Sequence, residues 1–206
     1  VTVTSADGRT WAARQVVLAL PPRIAATLQF TPALSPAAIS AMAAIPTWMA
    51  GQAKAVAVYD TAFWREDGLS GDAHSRHGPM VEIHDASPAE AGPFALFGFI
   101  GVPPAARQNE AVLHDAVLAQ FARLFGPQAA TPLALNIKDW AFDPFTATSA
   151  DQEPLTAHPT YGMPAALAGI WDDALIISGT EVAPQFGGFL EGALEAAEIA
   201  AELCDT

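Results

Sequence analysis

Residues able to do chemistry concentrate near the end of this chain, where Ile176-Ile177-Ser178-Gly179-Thr180-Glu181 is followed, after a short spacer, by Gly187-Gly188-Phe189-Leu190-Glu191-Gly192-Ala193. The apolar pair Ile176 and Ile177 suits a strand in a covered sheet, and Gly179 permits a sharp turn just past its end. Glu181 then stands where a carboxylate can accept hydrogen bonds from a ribityl or ribose hydroxyl, as an acid does in dinucleotide-binding folds. Gly187 and Gly188 open the following helix and leave the N–H groups of its first turn, with Phe189 and Leu190 next in line, free for close approach. The positive end of the helix dipole favours a negatively charged ligand edge there. Together these residues form chemistry for holding a flavin.

Other reactive side chains carry weaker signals. In Gly51-Gln52-Ala53-Lys54-Ala55-Val56-Ala57-Val58-Tyr59 a strand period of two puts Lys54 on the face of Val56 and Val58, a single ammonium on an otherwise apolar row. By residue type alone it reads as a lysine snorkelling to solvent. Trp140, following a strand, reads alone as core. Leu190, Ala193, Leu194, Ala197, Ala201 and Cys204 make an apolar stripe at helical spacing that is expected to pack in the core. The histidines His74, His77, His84, His114 and His158 show no metal-ligand spacing beyond His74-x-x-His77, which lies in a Ser/Gly/Asp-rich loop and reads as solvated, so no metal site is expected.

The C-terminal segment resembles the FAD-binding signature of the flavin-containing amine oxidases, the monoamine oxidase family: apolar-apolar-x-Gly-Thr-Glu, a spacer, Gly-aromatic-x-Glu-Gly-Ala and an Ala/Glu-rich helix. The resemblance extends to Val16-Val17-Leu18-Ala19-Leu20-Pro21-Pro22, to Phe30-Thr31-Pro32-Ala33-Leu34, to the Lys54 segment ending in Phe63-Trp64, and to Trp140 with the loop after it. It implies that Lys54 holds a water at flavin N5 and assists reoxidation by dioxygen, and that Trp140 walls the isoalloxazine. Gly179, Thr180, Glu181, Gly187, Gly188, Phe189 and Leu190 would contact the cofactor. Counted from Trp140, the position of the flavin-linked cysteine falls on Ser149, so FAD should be bound non-covalently. The two positions of the aromatic substrate cage fall on Ala150 and Phe189, which leaves half the cage missing and departs from simple monoamine recognition. The implied reaction is hydride transfer from the carbon alpha to a neutral amine onto flavin N5, giving an imine, with dioxygen reduced to hydrogen peroxide. A related flavin desaturase or porphyrinogen-type oxidase shares the signature, and a module that binds no cofactor is the alternative from another class.

No Gly-x-Gly-x-x-Gly follows a strand, so the βαβ unit that grips the ADP half of FAD is absent from these residues. The expected fold is α+β: a mixed sheet with flanking helices as the substrate domain, plus a partial FAD-binding domain lacking its N-terminal Rossmann unit. The expected divisions are residues 1–22, a strand segment of the FAD-binding domain; 23–150, the substrate domain; and 151–206, the closing FAD-binding segment. Within them, a hairpin turns at Asp7-Gly8. Ser35 caps a helix opened by Pro36 and running to about Ala44, strands cover 80–84, 94–100 and 133–140, and Asn109 caps a helix over Glu110–Phe125 stopped by Gly126. The chain is thus read as a fragment whose partner is the N-terminal FAD-binding half of the same protein, and which alone should not retain FAD.

Composition agrees. A hydrophobic fraction of 51% with 15% charged residues exceeds what a globule of 206 residues usually needs, as a piece with surface meant for another half would show. A net charge of −13 argues against nucleic-acid or anionic-membrane partners and suits a cationic amine. No apolar run is long enough to span a bilayer and no signal-like segment opens the chain. The sole cysteine, Cys204, excludes an internal disulfide and fits a reducing, cytoplasmic setting. A homo-oligomer is compatible with these features.

Overall fold

A computed structural model describes residues 1–89, 92–153 and 155–204. In chain order the first elements are β1 (Thr2–Thr4), β2 (Thr10–Ala12), β3 (Val16–Leu18), α1 (Pro22–Ala25), α2 (Pro36–Ala44), β4 (Ala53–Tyr59) and α3 (Phe63–Glu66). They are followed by β5 (Ala73–His74), β6 (Met80–Asp85), β7 (Phe94–Ile100), α4 (Glu110–Phe125), β8 (Ala134–Asp139), β9 (Leu175–Ile177) and α5 (Leu190–Cys204). The chain forms two compact units, one of Val1–Trp48 with Pro144–Thr206 and one of Met49–Asp143. The divisions read from sequence at residues 22 and 150 therefore move. Leu34, Ala38 and Met42, on or near α2, share a core with Leu167, Ile170, Leu175 and Ile177, which ties residues 23–48 to the C-terminal segment.

In the first unit β1 and β2 form the expected hairpin, with Gly8 at φ +84° in its turn. Ser35 caps α2 by accepting the Ala38 N–H at 3.1 Å, and Pro36 occupies the first turn, where its missing N–H costs nothing. β3 and β9 form a two-stranded parallel sheet, Val17 opposite Ile176. Just before β9 three consecutive non-glycine residues, Trp171, Asp172 and Asp173, take φ of 52°, 54° and 61°, a left-handed turn. The Trp171 ring packs edge-on against Phe30 at 6.0 Å.

Helix α5 differs from expectation in two respects. It begins at Leu190, so Gly187 and Gly188 precede it and do not form its first turn. Its buried stripe is Gly192, Ala196 and Ala200, whereas Leu190 is 90% and Leu194 60% exposed, and Ala193, Ala197 and Ala201 are exposed as well. Close approach is the cause. A Cβ on Gly192 would lie 2.1 Å from the Phe186 carbonyl oxygen, and Ser178 Oγ donates to the Ala196 carbonyl at 2.9 Å. Only the small residues fit against the neighbouring backbone, so the helix turns its larger apolar side chains outward.

The second unit is a five-stranded antiparallel sheet in the order β5-β6-β7-β4-β8. Antiparallel pairing thus occurs in both units, and the parallel β3–β9 pair belongs to the first. Along β4 burial alternates: Ala53, Ala55, Ala57 and Tyr59 point inward, and Lys54, Val56 and Val58 lie on the half-exposed face. The inward alanines join Leu113, Val117, Phe121 and Phe125 of α4, with Trp64, Met80, Ile83, Leu96 and Ile100, in one core. Asn109 caps α4 through the Val112 N–H at 3.1 Å, and Gly126 ends it at φ +93°. Gly98 is required in β7, because a Cβ there would meet Met80 Sδ at 2.5 Å.

Candidate functional site

Parallel strands of open α/β sheets present ligands outside their C-terminal ends. At that end of the β3–β9 pair the chain passes through Ser178 and Gly179 into a 3-10 turn at Thr180–Val182. A cavity of about 560 Å³ lies there, lined by Leu20, Pro21, Gly179, Thr180, Glu181 and the small residues of α5. A Cβ on Gly179 would come within 2.8 Å of both Glu181 Oε2 and the Leu20 carbonyl oxygen, so glycine alone lets the carboxyl lie against the strand end. Glu181 is only 4% exposed. Burial pushes its pKa above the ordinary carboxylate value, and the negative charge of Asp151 adds to the shift. A buried carboxyl facing such a cavity can accept a hydrogen bond from a ligand hydroxyl, so the residues present fit a polyhydroxyl cofactor chain.

Thr180 fastens this turn to the glycine segment: its Oγ1 accepts the Gly188 N–H at 3.0 Å and donates to the Phe189 carbonyl at 2.8 Å. The glycines, expected to leave N–H groups free for close approach, are packed against side chains. A Cβ on Gly187 would lie 2.4 Å from Tyr161 Cβ, and one on Gly188 would lie 2.7 Å from His158 Nε2. Phe189, 58% exposed, stacks on His158 with centroids 5.0 Å apart and planes 11° from parallel. Trp48 and Tyr161 contact the same imidazole at 5.0 and 5.5 Å. Tyr161 donates to the Pro46 carbonyl at 2.7 Å and accepts the Trp48 N–H at 2.9 Å; burial pushes its phenol up to about 12. The sequence reading missed this aromatic group, since His158 drew notice only for its lack of metal-ligand spacing and no spacing links it to Phe189. Ser149 and Ala150 lie exposed in the 3-10 turn Ser149–Asp151. The buried Asp151 accepts from Arg23 Nη1 at 2.6 Å and from the Thr148 N–H at 2.9 Å.

In the second unit Lys54 sits where the sequence puts it, but it is not a lone ammonium. Lys138 is its direct neighbour on β8, and Phe99 its neighbour on β7. Lys54 Nζ lies 5.2 Å from the Phe99 ring centroid and 5.9 Å from that of Phe97, so two aromatic faces stabilise its charge. Lys138 is paired with Asp143 and lies 4.7 Å over the Trp140 ring. The two cations are thus unlike: Lys138 has a carboxylate and one ring, whereas Lys54 lies over two rings. Beyond Phe97 the same face carries His84, its Nε2 2.7 Å from Glu82 Oε1 and its Nδ1 2.9 Å from Asp72 Oδ1. Those bonds, Glu82 first, hold its pKa above the ordinary imidazole value.

A buried clamp sets this geometry. Arg107, 4% exposed, donates Nε and Nη2 to the Asp139 carboxylate at 2.6 and 2.9 Å, Nη2 to the Gly51 carbonyl at 2.6 Å and Nη1 to the Val102 carbonyl at 2.6 Å. Asp139 also accepts the Ala141 N–H at 3.1 Å, which caps the turn Trp140–Phe142, and the Trp140 N–H donates to the Gln52 carbonyl at 3.0 Å. The sequence offered no pattern that separates Arg107 from a surface arginine.

The sequence profile of flavin containing amine oxidoreductases matches residues 1–204. AofH of Mycobacterium tuberculosis is 31% identical over 225 aligned residues, covering 98% of this chain and 45% of that protein. Flavin-containing amine oxidase A of Bos taurus is 25% identical over 211 residues, covering 98% and 38%. Among solved structures, cyclohexylamine oxidase from Brevibacterium oxydans superposes with a TM-score of 0.66 at 28% identity, covering 98% of this chain and 46% of that one. The chain spans less than half the length of these relatives.

Proposed function

Because the chain belongs to the family of flavin containing amine oxidoreductases, we propose that it supplies the substrate side and the closing flavin-binding segment of an FAD-dependent amine oxidase. The observation that carries this reading is the buried Glu181 carboxyl beside Gly179, at the C-terminal end of a parallel strand pair and facing a cavity of about 560 Å³. FAD, when bound, supplies the hydride acceptor and passes the electrons to dioxygen, so that an amine leaves as an imine and hydrogen peroxide is released.

The chain's own residues then have separable tasks. Glu181 accepts hydrogen bonds from hydroxyls of the cofactor's sugar-alcohol chain, and those donors offset the burial that raises its pKa. Lys54, held over Phe97 and Phe99, keeps a hydrated cation on the open face of the sheet, where it can orient a water. Trp140 forms a wall under Lys138. Phe189, backed by His158, presents an aromatic face to an amine. With Ser149 at the counted cysteine position, attachment of FAD is non-covalent.

The reading requires the Gly-rich N-terminal half of the same protein as partner, since backbone N–H groups of that kind grip a pyrophosphate. The test is reconstitution. The chain combined with that half should bind one FAD per pair by visible absorption and form peroxide from an amine under air. Neither half alone should do so. A combination that takes up no flavin, or that takes it up and oxidises no amine in a panel of mono- and diamines, defeats the proposal.

A further inference from the structure

Asp72, His84 and Glu82 form a hydrogen-bonded row on the second unit that the proposed reaction leaves without a task. Asp72 lies in the segment joining α3 to β5, one residue before β5 begins. Register places it opposite His84, since Ala73 pairs with Ile83 and His74 with Glu82. His84 is in turn opposite Phe97, and Glu82 opposite Phe99, the neighbour of Lys54. Directly paired residues share a face, so the row stands on the side of the sheet that carries Lys54. His84 Nδ1 is 2.9 Å from Asp72 Oδ1, and Nε2 is 2.7 Å from Glu82 Oε1. An ionised carboxylate only accepts hydrogen bonds, so both ring nitrogens must donate, and the arrangement is that of an imidazolium.

Loss of one proton leaves a nitrogen lone pair facing a carboxylate oxygen, so one of the two contacts must open. Two features select the Asp72 contact. Glu82 is held by backbone pairing on both sides, to β5 and to β7, and makes the shorter bond. Asp72 instead follows a hinge: Gly71 takes φ +83°, and a Cβ there would lie 2.7 Å from Asp85 Cβ and 2.9 Å from Trp64 Nε1, so the chain is pinned up to Gly71 and free after it. We infer that Asp72, His84 and Glu82 are a proton-operated latch, closed while His84 is charged and released at Asp72 when it is neutral, which ties or frees the edge strand β5. That strand has two residues and a single neighbour, so little else holds it. The turn after it is anchored separately, Arg123 Nη2 donating to the His77 carbonyl at 2.6 Å. Other charged groups near the ring are His74 of β5, opposite Glu82, and Lys54 of β4, across Phe97; Asp85, next in sequence, bonds Trp64 and Arg65 instead. The bonds from His84 to Glu82 and then Asp72 raise its folded pKa, so the latch contributes fully below the unfolded value of about 6.5 and is lost as pH rises through the raised folded value. Release frees the rim of the face on which Lys54 stands, and the inference is independent of the flavin reading.

The experiment is residue-resolved amide exchange on this chain across the titration of His84, which is followed by the ¹⁵N shifts of its ring, with each rate corrected for the intrinsic pH dependence of exchange. The Ser75 N–H donates to the Val81 carbonyl at 3.1 Å, and the alternation of an antiparallel ladder then bonds the Ala73 N–H to β6. Protection of Ala73 should fall about threefold as His84 loses its proton, a factor in keeping with charges this open to water. Ser75, anchored through Arg123 Nη2 to its Oγ at 3.2 Å, should change less. Asp72→Asn should show at every pH the protection that the parent shows at high pH, and His84→Gln should give a profile without the transition. His74→Asn should keep it. The latch is overturned if Ala73 is equally protected on both sides of the His84 titration, if its protection follows His74 instead, or if Asp72→Asn leaves the parent's profile in place.

Discussion

Replacing Arg107 by methionine should be among the most damaging single changes in this chain, and its cost can be worked from the clamp. The guanidinium makes two bonds to Asp139 and one each to the Gly51 and Val102 carbonyls. Removing one member of a buried ion pair costs about 3–5 kcal/mol, mostly because the other charge is left without compensation. The Asp139 side chain is 17% exposed, so water reaches it in part. The expected loss is therefore at the lower end, about 3 kcal/mol, or a fall in Tm of about 6–12 °C. Arg107→Lys keeps the charge, but one ammonium cannot make the paired bonds to the carboxylate and reach both carbonyls, so it should recover about half of the loss. Adding Asp139→Asn to Arg107→Met should cost less than the sum of the singles, since no carboxylate is then left uncompensated. Urea unfolding followed by far-ultraviolet circular dichroism and tryptophan fluorescence measures the parent, the three single variants and the double variant. A loss below about 1 kcal/mol for Arg107→Met, or a lysine variant as stable as the parent, would refute the account of the clamp.

Four further outcomes are expected. The chain purified alone should be colourless, and a visible spectrum with flavin near one per chain would contradict the need for the other half. In the assembled enzyme acid precipitation should release all the flavin to the supernatant, because Ser149 is a far poorer attacking group than a thiol; colour in the pellet would oppose this. Lys54→Met should slow reoxidation by dioxygen much more than reduction by amine in stopped-flow measurements of the two half-reactions, and an unchanged oxygen rate would remove Lys54 from that role. Asp85 links acid to stability: burial alone would raise its pKa, but bonds from Arg65, Ser87 and Trp64 outweigh this and hold the carboxyl well below its usual range. Its contribution is fully present above the unfolded value of about 3.9, shrinks as pH falls below that and is gone only below the lowered folded value, so the stability deficit of Asp85→Asn at neutral pH should narrow steadily between about pH 4 and pH 2 in thermal melts.

How much was legible follows from where the information is local. The caps at Ser35 and Asn109, the stop at Gly126 and the alternation of β4 are decided by residues within a few positions, and each lies where the sequence puts it. The Gly179-Thr180-Glu181 turn was readable for the same reason. The inward face of α5 was not, because the side chains that pack best by hydrophobicity, Leu190 and Leu194, are too large for a helix pressed against the Phe186 carbonyl. Lys138 beside Lys54 depends on strand register, and His158 under Phe189 on how a long loop closes. The placement of α1 and α2 with the C-terminal segment likewise arises from contacts far apart in sequence, notably Met42 with the core around Leu175 and Ile177.

The left-handed turn at Trp171-Asp172-Asp173 bears on the order in which the chain acquires its structure. Each non-glycine residue held in that conformation costs about 1–2 kcal/mol, so the segment has no tendency to form by itself. It becomes favourable only when the Trp171 ring is seated against Phe30, which requires the region around α2 to be in place first. The strand that follows therefore gains its stability together with residues far earlier in the chain, and while those contacts are unmade the apolar stretch of the C-terminal segment is exposed, open to chaperones and to aggregation.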